Sequence, residues 1–140
     1  MNFMESLKVS ASGLYAQRKR MDVIAENLSN IETTRTENGG PYRRKMIAIG
    51  ANPVDDFNEV LGSQMEGVKV DAIVEDNSPF KIVYNPSHPD ADKDGYLKKP
   101  NVDLAVEMAN MLMARNAFSA NLAAIKSTRQ MVLKALEIGK

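Results

Sequence analysis

Apolar side chains recur at alternating steps of three and four at both ends of the 140-residue chain, and the middle lacks that rhythm. The first run is Met4, Leu7, Ala11, Leu14, Arg18, Met21, Ala25 and Leu28. The second is Met108, Met111, Arg115, Phe118, Leu122, Ile125, Arg129, Val132 and Leu136. Such spacing puts side chains on one face of an α-helix, as in a coiled-coil seam. It predicts a helix over residues 4–28, about 37 Å long, and a second over residues 103–138, up to about 54 Å long. Gly13 is the one glycine inside the first helix, and it lets a neighbouring backbone come close. Asn27, Ser29 and Asn30 mark the stop of that helix, because asparagine tolerates the left-handed conformation that closes helices. Pro100 with Asn101 or Asp103 starts the second helix, and Gly139 ends it.

Between the helices the pattern changes. All 6 prolines fall in residues 31–100. Three short β-branched or aromatic runs bounded by turn residues predict strands over Tyr42–Ile49, Val68–Val74 and Phe80–Tyr84. Asn85–Pro100 reads as a long loop, of the length that tends to be functional or disordered. The expected fold is mainly α with a small β-rich insertion, divided as residues 1–34, 35–100 and 101–140.

The two seams either pair with each other as an antiparallel hairpin or pair with other molecules. A helix of about 37 Å cannot cover one of about 54 Å. Val106, Leu112, Leu133 and Ile138 also widen the second stripe, and a wide stripe wants more than one neighbour. Leu7, Leu14, Met21, Leu28, Met108, Phe118, Leu122, Ile125, Val132 and Leu136 are therefore expected to pack against neighbouring subunits. Arg18, Arg115 and Arg129 lie on the seams. There an arginine either lays its stem along apolar surface or meets a partner carboxylate and fixes register.

Charge narrows the classes. Lysine plus arginine and aspartate plus glutamate both number 18, for a formal net charge of +0. A general nucleic-acid binder would carry a basic excess, whereas a near-neutral chain tends to associate. Arg18-Lys19-Arg20 and Arg43-Arg44-Lys45 read as solvated faces. Cysteine is absent, which removes disulfides and thiolate metal sites. The 9 methionines suit surfaces that must adapt to different neighbours. No apolar run approaches the roughly 20 residues of a spanning helix. The start lacks a basic segment followed by an apolar one, so no cleaved signal is expected.

Candidate chemistry is sparse. Asp90-Ala91-Asp92-Lys93-Asp94-Gly95 matches the opening of an EF-hand calcium loop. Position 12 of that loop is Asn101 rather than glutamate, and prolines flank the run, so a polar acidic turn is the preferred reading. His88 is the single histidine, placed between Pro86 and Pro89, and is read as a loop side chain bonding local backbone. No cofactor, metal site or catalytic residue is expected. The alternative function is a calcium-binding or peptidoglycan-contacting periplasmic module, or a small enzyme using His88.

Two signatures carry a resemblance. Ser12-Gly13-Leu14-Tyr15-Ala16, followed by Ala25-Glu26-Asn27-Leu28-Ser29-Asn30 and Thr33, resembles the N-terminal signature of the flagellar axial proteins, the rod, hook and their relatives. Ser29 stands where alanine is usual. Val102-Asp103-Leu104, Glu107-Met108 and Ala117-Phe118-Ser119-Ala120-Asn121 resemble the matching C-terminal signature, with Phe118 where tyrosine is common. Gly40 to Lys45 and His88-Pro89-Asp90-Ala91-Asp92 resemble the proximal rod members of that group. The resemblance implies an inner, coiled-coil-like layer of paired terminal helices, with the central strands and loops outside it. It implies a structural, non-enzymatic subunit of the shaft that transmits torque for motility. The expected partners are other rod proteins, further copies of the chain, and an export-gate or ring adaptor at the rod base. Contact with ring proteins is left open, and neither nucleic acid nor a membrane span is expected. Export through the flagellar type III channel, without a cleaved signal, is implied as well, and so is a place in the periplasm-spanning rod. Asn27, Leu28, Asn30, Thr33, His88, Pro89, Asp90 and Asp92 are the signature residues.

Overall fold

The computed structural model describes residues 3–53 and 66–138. Helix α1 spans Phe3–Ser29 and helix α2 spans Leu104–Ile138. Four strands lie between them: β1 Lys45–Pro53, β2 Glu66–Glu75, β3 Lys81–Tyr84 and β4 Tyr96–Lys99. Two long helices with a small central β region are what the sequence pattern predicts. The expected stop at Gly139 lies outside the described residues.

The helix ends are closed by side chains. Among the described residues no non-glycine residue has positive φ, so the asparagines do not end α1 by a left-handed turn. Asn30 instead donates its amide to the Glu26 carbonyl at 2.9 Å and accepts from the Thr33 hydroxyl at 3.1 Å. This satisfies part of the group of carbonyls that every helix end leaves open. At the start of α2, the Asp103 carboxylate accepts from the backbone N–H of Ala105 at 3.0 Å and of Val106 at 3.2 Å, an N-cap.

The helices pair antiparallel. Asn27 meets Glu107 near the β region, and Gly13 lies against Asn121 one step of equal length along both helices. On α2 the face toward α1 carries buried Glu107, Ala114 and Thr128, alternating with half-buried Met111, Phe118, Asn121, Ile125 and Val132. That is a three-four rhythm, but turned from the expected one. Met108, Arg115, Leu122, Arg129 and Leu136 are exposed. The same turn occurs on α1, where Gly13, Ala16, Val23, Ile24 and Asn27 are buried. Leu7, Leu14, Met21 and Leu28 are half-buried there, and Arg18 is exposed. The cause is backbone proximity. An alanine-sized Cβ at Gly13 would stand 2.8 Å from the Asn121 amide nitrogen, so small residues occupy the line of closest approach and large apolar ones flank it.

Strands β1 and β2 form an antiparallel pair from Lys45↔Glu75 to Pro53↔Glu66, and α1 packs on both. Their register shifts between Ala48 and Ile49, leaving Asp71 as the extra residue. The Ser12 hydroxyl of α1 accepts from the Val68 N–H at 3.0 Å. Strand β1 begins three residues later than expected and continues to Pro53. The predicted loop 85–100 is corrected: its last part is strand β4, paired with β3 from Lys81↔Lys99 to Tyr84↔Tyr96. Four residues with two lysines give a weak strand signal, yet Leu97 is buried while Tyr96 and Lys98 are exposed, the period of two that a strand needs. The remaining loop closes through Asn85 N–H to the Gly95 carbonyl at 2.9 Å. Gly95 has φ +82°, and a Cβ there would lie 2.9 Å from the Tyr84 ring, so only glycine fits.

Candidate functional site

A polar knot ties the two helices to the β region. Asn27 is 1% exposed, and its side-chain amide makes every bond it can. Its nitrogen donates to the Lys45 carbonyl at 2.8 Å and to Glu107 Oε2 at 3.1 Å. Its oxygen accepts from the Lys45 N–H at 2.9 Å and from the Tyr42 hydroxyl at 3.0 Å. One side chain thus joins α1, α2, β1 and the segment leading into β1.

Glu107, fully buried, is the charged member. Its Oε1 accepts from Arg44 Nε and from a second Arg44 nitrogen, each at 2.8 Å. A buried carboxylate needs such pairing, because an uncompensated charge in the interior costs several kcal/mol, about 3–5 when one partner is removed. Arg44 also reaches Asp76 at 3.4 Å, and its backbone N–H donates to Asn101 Oδ1 at 2.8 Å. Asn101 in turn donates to the Asp76 carbonyl at 3.0 Å. The expectation that Arg43-Arg44-Lys45 forms only a solvated face is therefore corrected. Arg44 balances Glu107, Lys45 pairs with Glu26, and Arg43 lies over the Phe80 ring at 4.4 Å. A lone glutamate between Leu104-Ala105-Val106 and Met108-Ala109 was the signal that a basic partner was required.

The environment of the knot is visible in its titrating groups. Burial first, then the nearby carboxylates of Glu26, Glu107 and Glu75, pushes the Tyr42 hydroxyl up to about 12. Bonds from the Ser78 hydroxyl and amide, with Arg44 assisting, hold the Asp76 carboxyl below its ordinary value. The Val106 N–H does the same for Asp103, and Lys81 adds to it.

The central signature run has a structural task. His88 Nδ1 accepts from the Asp90 N–H at 3.1 Å, as a loop histidine bonding local backbone would. Asp90 accepts from the Thr34 hydroxyl at 2.8 Å and faces Arg35 at 3.8 Å, which fastens this loop to the segment after α1. Asp92 Oδ1 accepts from the N–H groups of Asp94 and Tyr96 at 3.1 and 2.8 Å and shapes the turn into β4. With these oxygens engaged in turns and docking, no group of three or more histidine, cysteine, aspartate or glutamate residues among the described residues could hold a metal ion. The calcium-binding alternative is not supported.

The second feature of the site is apolar and outward. Of the 35 residues of α2, only Glu107, Ala114 and Thr128 are buried. Leu104, Met108, Leu112, Met113, Met131, Leu133, Leu136 and Ile138 are each at least half exposed. Among the expected packing residues, Met108, Leu122 and Leu136 are exposed and the other seven are half-buried, so none is enclosed within the single chain. No helix among the described residues is long and apolar enough to cross a membrane.

Paired terminal helices, a small β region between them and an unenclosed apolar surface define an axial assembly protein, and family comparison gives the same class. Residues 7–35 match the family described as flagella basal body rod protein, and residues 93–138 match the C-terminal family of the flagellar basal body rod FlgEFG proteins. The flagellar basal-body rod protein FlgC of Bacillus subtilis is 46% identical over 100% of both chains. That of Borreliella burgdorferi is 41% identical over 99% of this chain and 98% of its own, and that of Salmonella typhimurium is 35% identical over 100% of both. The chain belongs to the FlgC family of flagellar basal-body rod proteins. It is a structural subunit of the rod in the flagellar basal body and serves motility.

Proposed function

We propose that this subunit enters the proximal part of the rod by burying the outward faces of both helices against copies of itself and other rod chains. Leu7, Leu14, Met21, Leu28, Met108, Phe118, Leu122, Ile125, Val132 and Leu136 supply that packing. The observation that carries the reading is the exposure of α2, a helix apolar on several sides that rests on one partner. Such a helix belongs in an enclosed environment. Contacts between different faces of successive subunits do not close on themselves and so build a helical shaft.

Residues 1–34 and 101–140 form the inner layer, and residues 35–100 form the outer one. The knot around Asn27 and Glu107 couples the two, so that torque on one layer is carried to the other. The lower neighbour is an export-gate or ring adaptor at the rod base. The subunit travels unfolded through the flagellar type III channel without a cleaved signal. A cysteine-free chain suits that route, since no disulfide can trap it in an oxidising space. Its role is mechanical rather than catalytic.

Leu122→Asp tests the packing. Each large apolar side chain buried on assembly contributes roughly 1.5–3 kcal/mol, and a carboxylate there reverses the sign. The variant should fold and be absent from isolated basal bodies, with swimming lost. Variant subunits found in rods of swimming cells would overturn the assignment.

A further inference from the structure

Arg20, Arg43, Arg44, Lys45 and Lys99 are the half-buried lysines and arginines among the described residues. Arg44, Lys45 and Lys99 are ion-paired, and Arg43 bonds the Asp76 carbonyl and lies over the Phe80 ring. The Arg20 guanidinium alone makes no ion pair, hydrogen bond or ring contact with a described residue. A half-buried cation in that state has given up water without gaining a counter-ion. Arg20 stands at an open crevice of about 360 Å³ between α1, β1 and α2. Val23 and Ile24 of α1 and Met46 and Ile49 of β1 give the crevice apolar walls, and Asn110 of α2 lines it as well. The Asn110 side-chain amide likewise has no partner among the described residues. Met46 and Ile49 are 37% and 41% exposed, so the walls reach the surface.

The nearby carboxylates are already engaged. Glu107 borders the crevice, but its oxygens are held by Asn27 and Arg44, and Glu26 on the same helix as Arg20 is held by Lys45. What is left is a guanidinium and an amide N–H, both donors, above aliphatic walls. A carboxylate on an apolar stem answers both parts, and an arginine fork holds a carboxylate through two parallel bonds. Two copies meeting through this same surface would set one Arg20 against the other, so the surface that docks here is a different and acidic one. We propose that the crevice receives an acidic segment of a different rod protein, an Asp or Glu next to a large aliphatic residue, with the carboxylate on Arg20 and Asn110 and the aliphatic side chain against Met46 and Ile49. The charge pair gives this contact its specificity, because an unanswered Arg20 disfavours any neighbour that lacks the acid. The proposal rests on the reading that this subunit is buried against other rod chains, and adds the chemistry of one contact.

The probe is hexanoate, titrated into the isotope-labelled full chain and followed by NMR at the Arg20 Nε–H and the Asn110 side-chain amide. Both signals should shift and saturate. Hexanol, with the same stem and no charge, should bind more weakly by roughly tenfold or more, and Arg20→Gln should weaken hexanoate by a similar factor. Arg20 has no partner to lose within the described chain, so circular dichroism of that variant should match the parent. Arg115→Gln, an exposed arginine outside the crevice, should change nothing. In assembled basal bodies, a benzophenone side chain introduced at Met46 should cross-link to a different rod protein, at a peptide with an Asp or Glu beside a large aliphatic residue. Hexanoate binding that is absent, or indifferent to Arg20→Gln, overturns the proposal. So does a cross-link that joins only two copies of this chain, or no cross-link at all. Failure here leaves the packing tested by Leu122→Asp standing, and failure of that packing leaves hexanoate binding to the free chain intact.

Discussion

Asn27 shows what a single residue contributes here. Its amide is fully used, and each of its partners is backbone or a buried polar group. Asn27→Ala strands the Lys45 N–H and one Glu107 oxygen in the interior, and each unsatisfied buried group costs about 1–3 kcal/mol. A loss on the order of 3 kcal/mol in chemical denaturation is expected, and Asn27→Asp should be no better, because it faces Glu107 with a second negative charge. The titrating groups give the pH dependence. Tyr42 has its folded value raised to about 12 from an ordinary 10, so the folded state holds its proton where the unfolded chain releases it. That stability is complete below about pH 10 and is lost as pH rises toward 12. Asp76 and Asp103 are held low, so their contributions are complete above about pH 4 and are lost as pH falls through the folded values. Melting temperature against pH should fall at both extremes. Tyr42→Phe should flatten the alkaline side, and Asp103→Asn the acid side. A parent curve without an alkaline fall would contradict the buried setting of Tyr42.

The elements divide into those the sequence announces and those it hides. The helices are announced because their apolar residues recur over many turns, and the start of α2 was narrowed to Asn101 or Asp103, of which Asp103 is the cap. The direction each helix faces is hidden, since periodicity fixes a stripe by its large side chains. The helices actually meet along Glu107, Ala114 and Thr128 with Met111, Phe118, Asn121 and Ile125 between them, a line that keeps only every second member of the expected seam, and Gly13 marks a close approach to Asn121. Strand β4 is hidden for another reason: Tyr96-Leu97-Lys98-Lys99 becomes a strand only because β3 pairs with it. The knot was half legible. Asn27 stood out, but Arg44 and Glu107 are 63 positions apart, and nothing local joins them. Gly13 offers a test at this scale. Gly13→Ala gains roughly 1 kcal/mol of helix propensity but displaces the Asn121 amide, so its net effect should be close to zero. Gly13→Leu has no such escape and should cost about 1–3 kcal/mol by overpacking, read as a shift in denaturation midpoint.

For the whole molecule, the terminal helices and the central strands obey different requirements. The helical hairpin is held at one end by hydrogen bonds and charge, and along its length by small side chains. Its exposed large apolar residues, Met108, Leu112 and Leu136 among them, are the ones the proposed assembly would cover. On the proposed assembly, a chain of zero net charge with few buried side chains among the described residues would complete much of its core only in the rod. Because cysteine is absent, one introduced thiol can report on that completion. Leu122→Cys places it on the outward face of α2, and reaction with a maleimide can be timed in the free subunit and in isolated basal bodies. The account predicts fast labelling of the free chain and strong protection in the rod, reversed when the rod is dissociated. Equal labelling rates in the two states would contradict the claim that this face is the one the shaft buries.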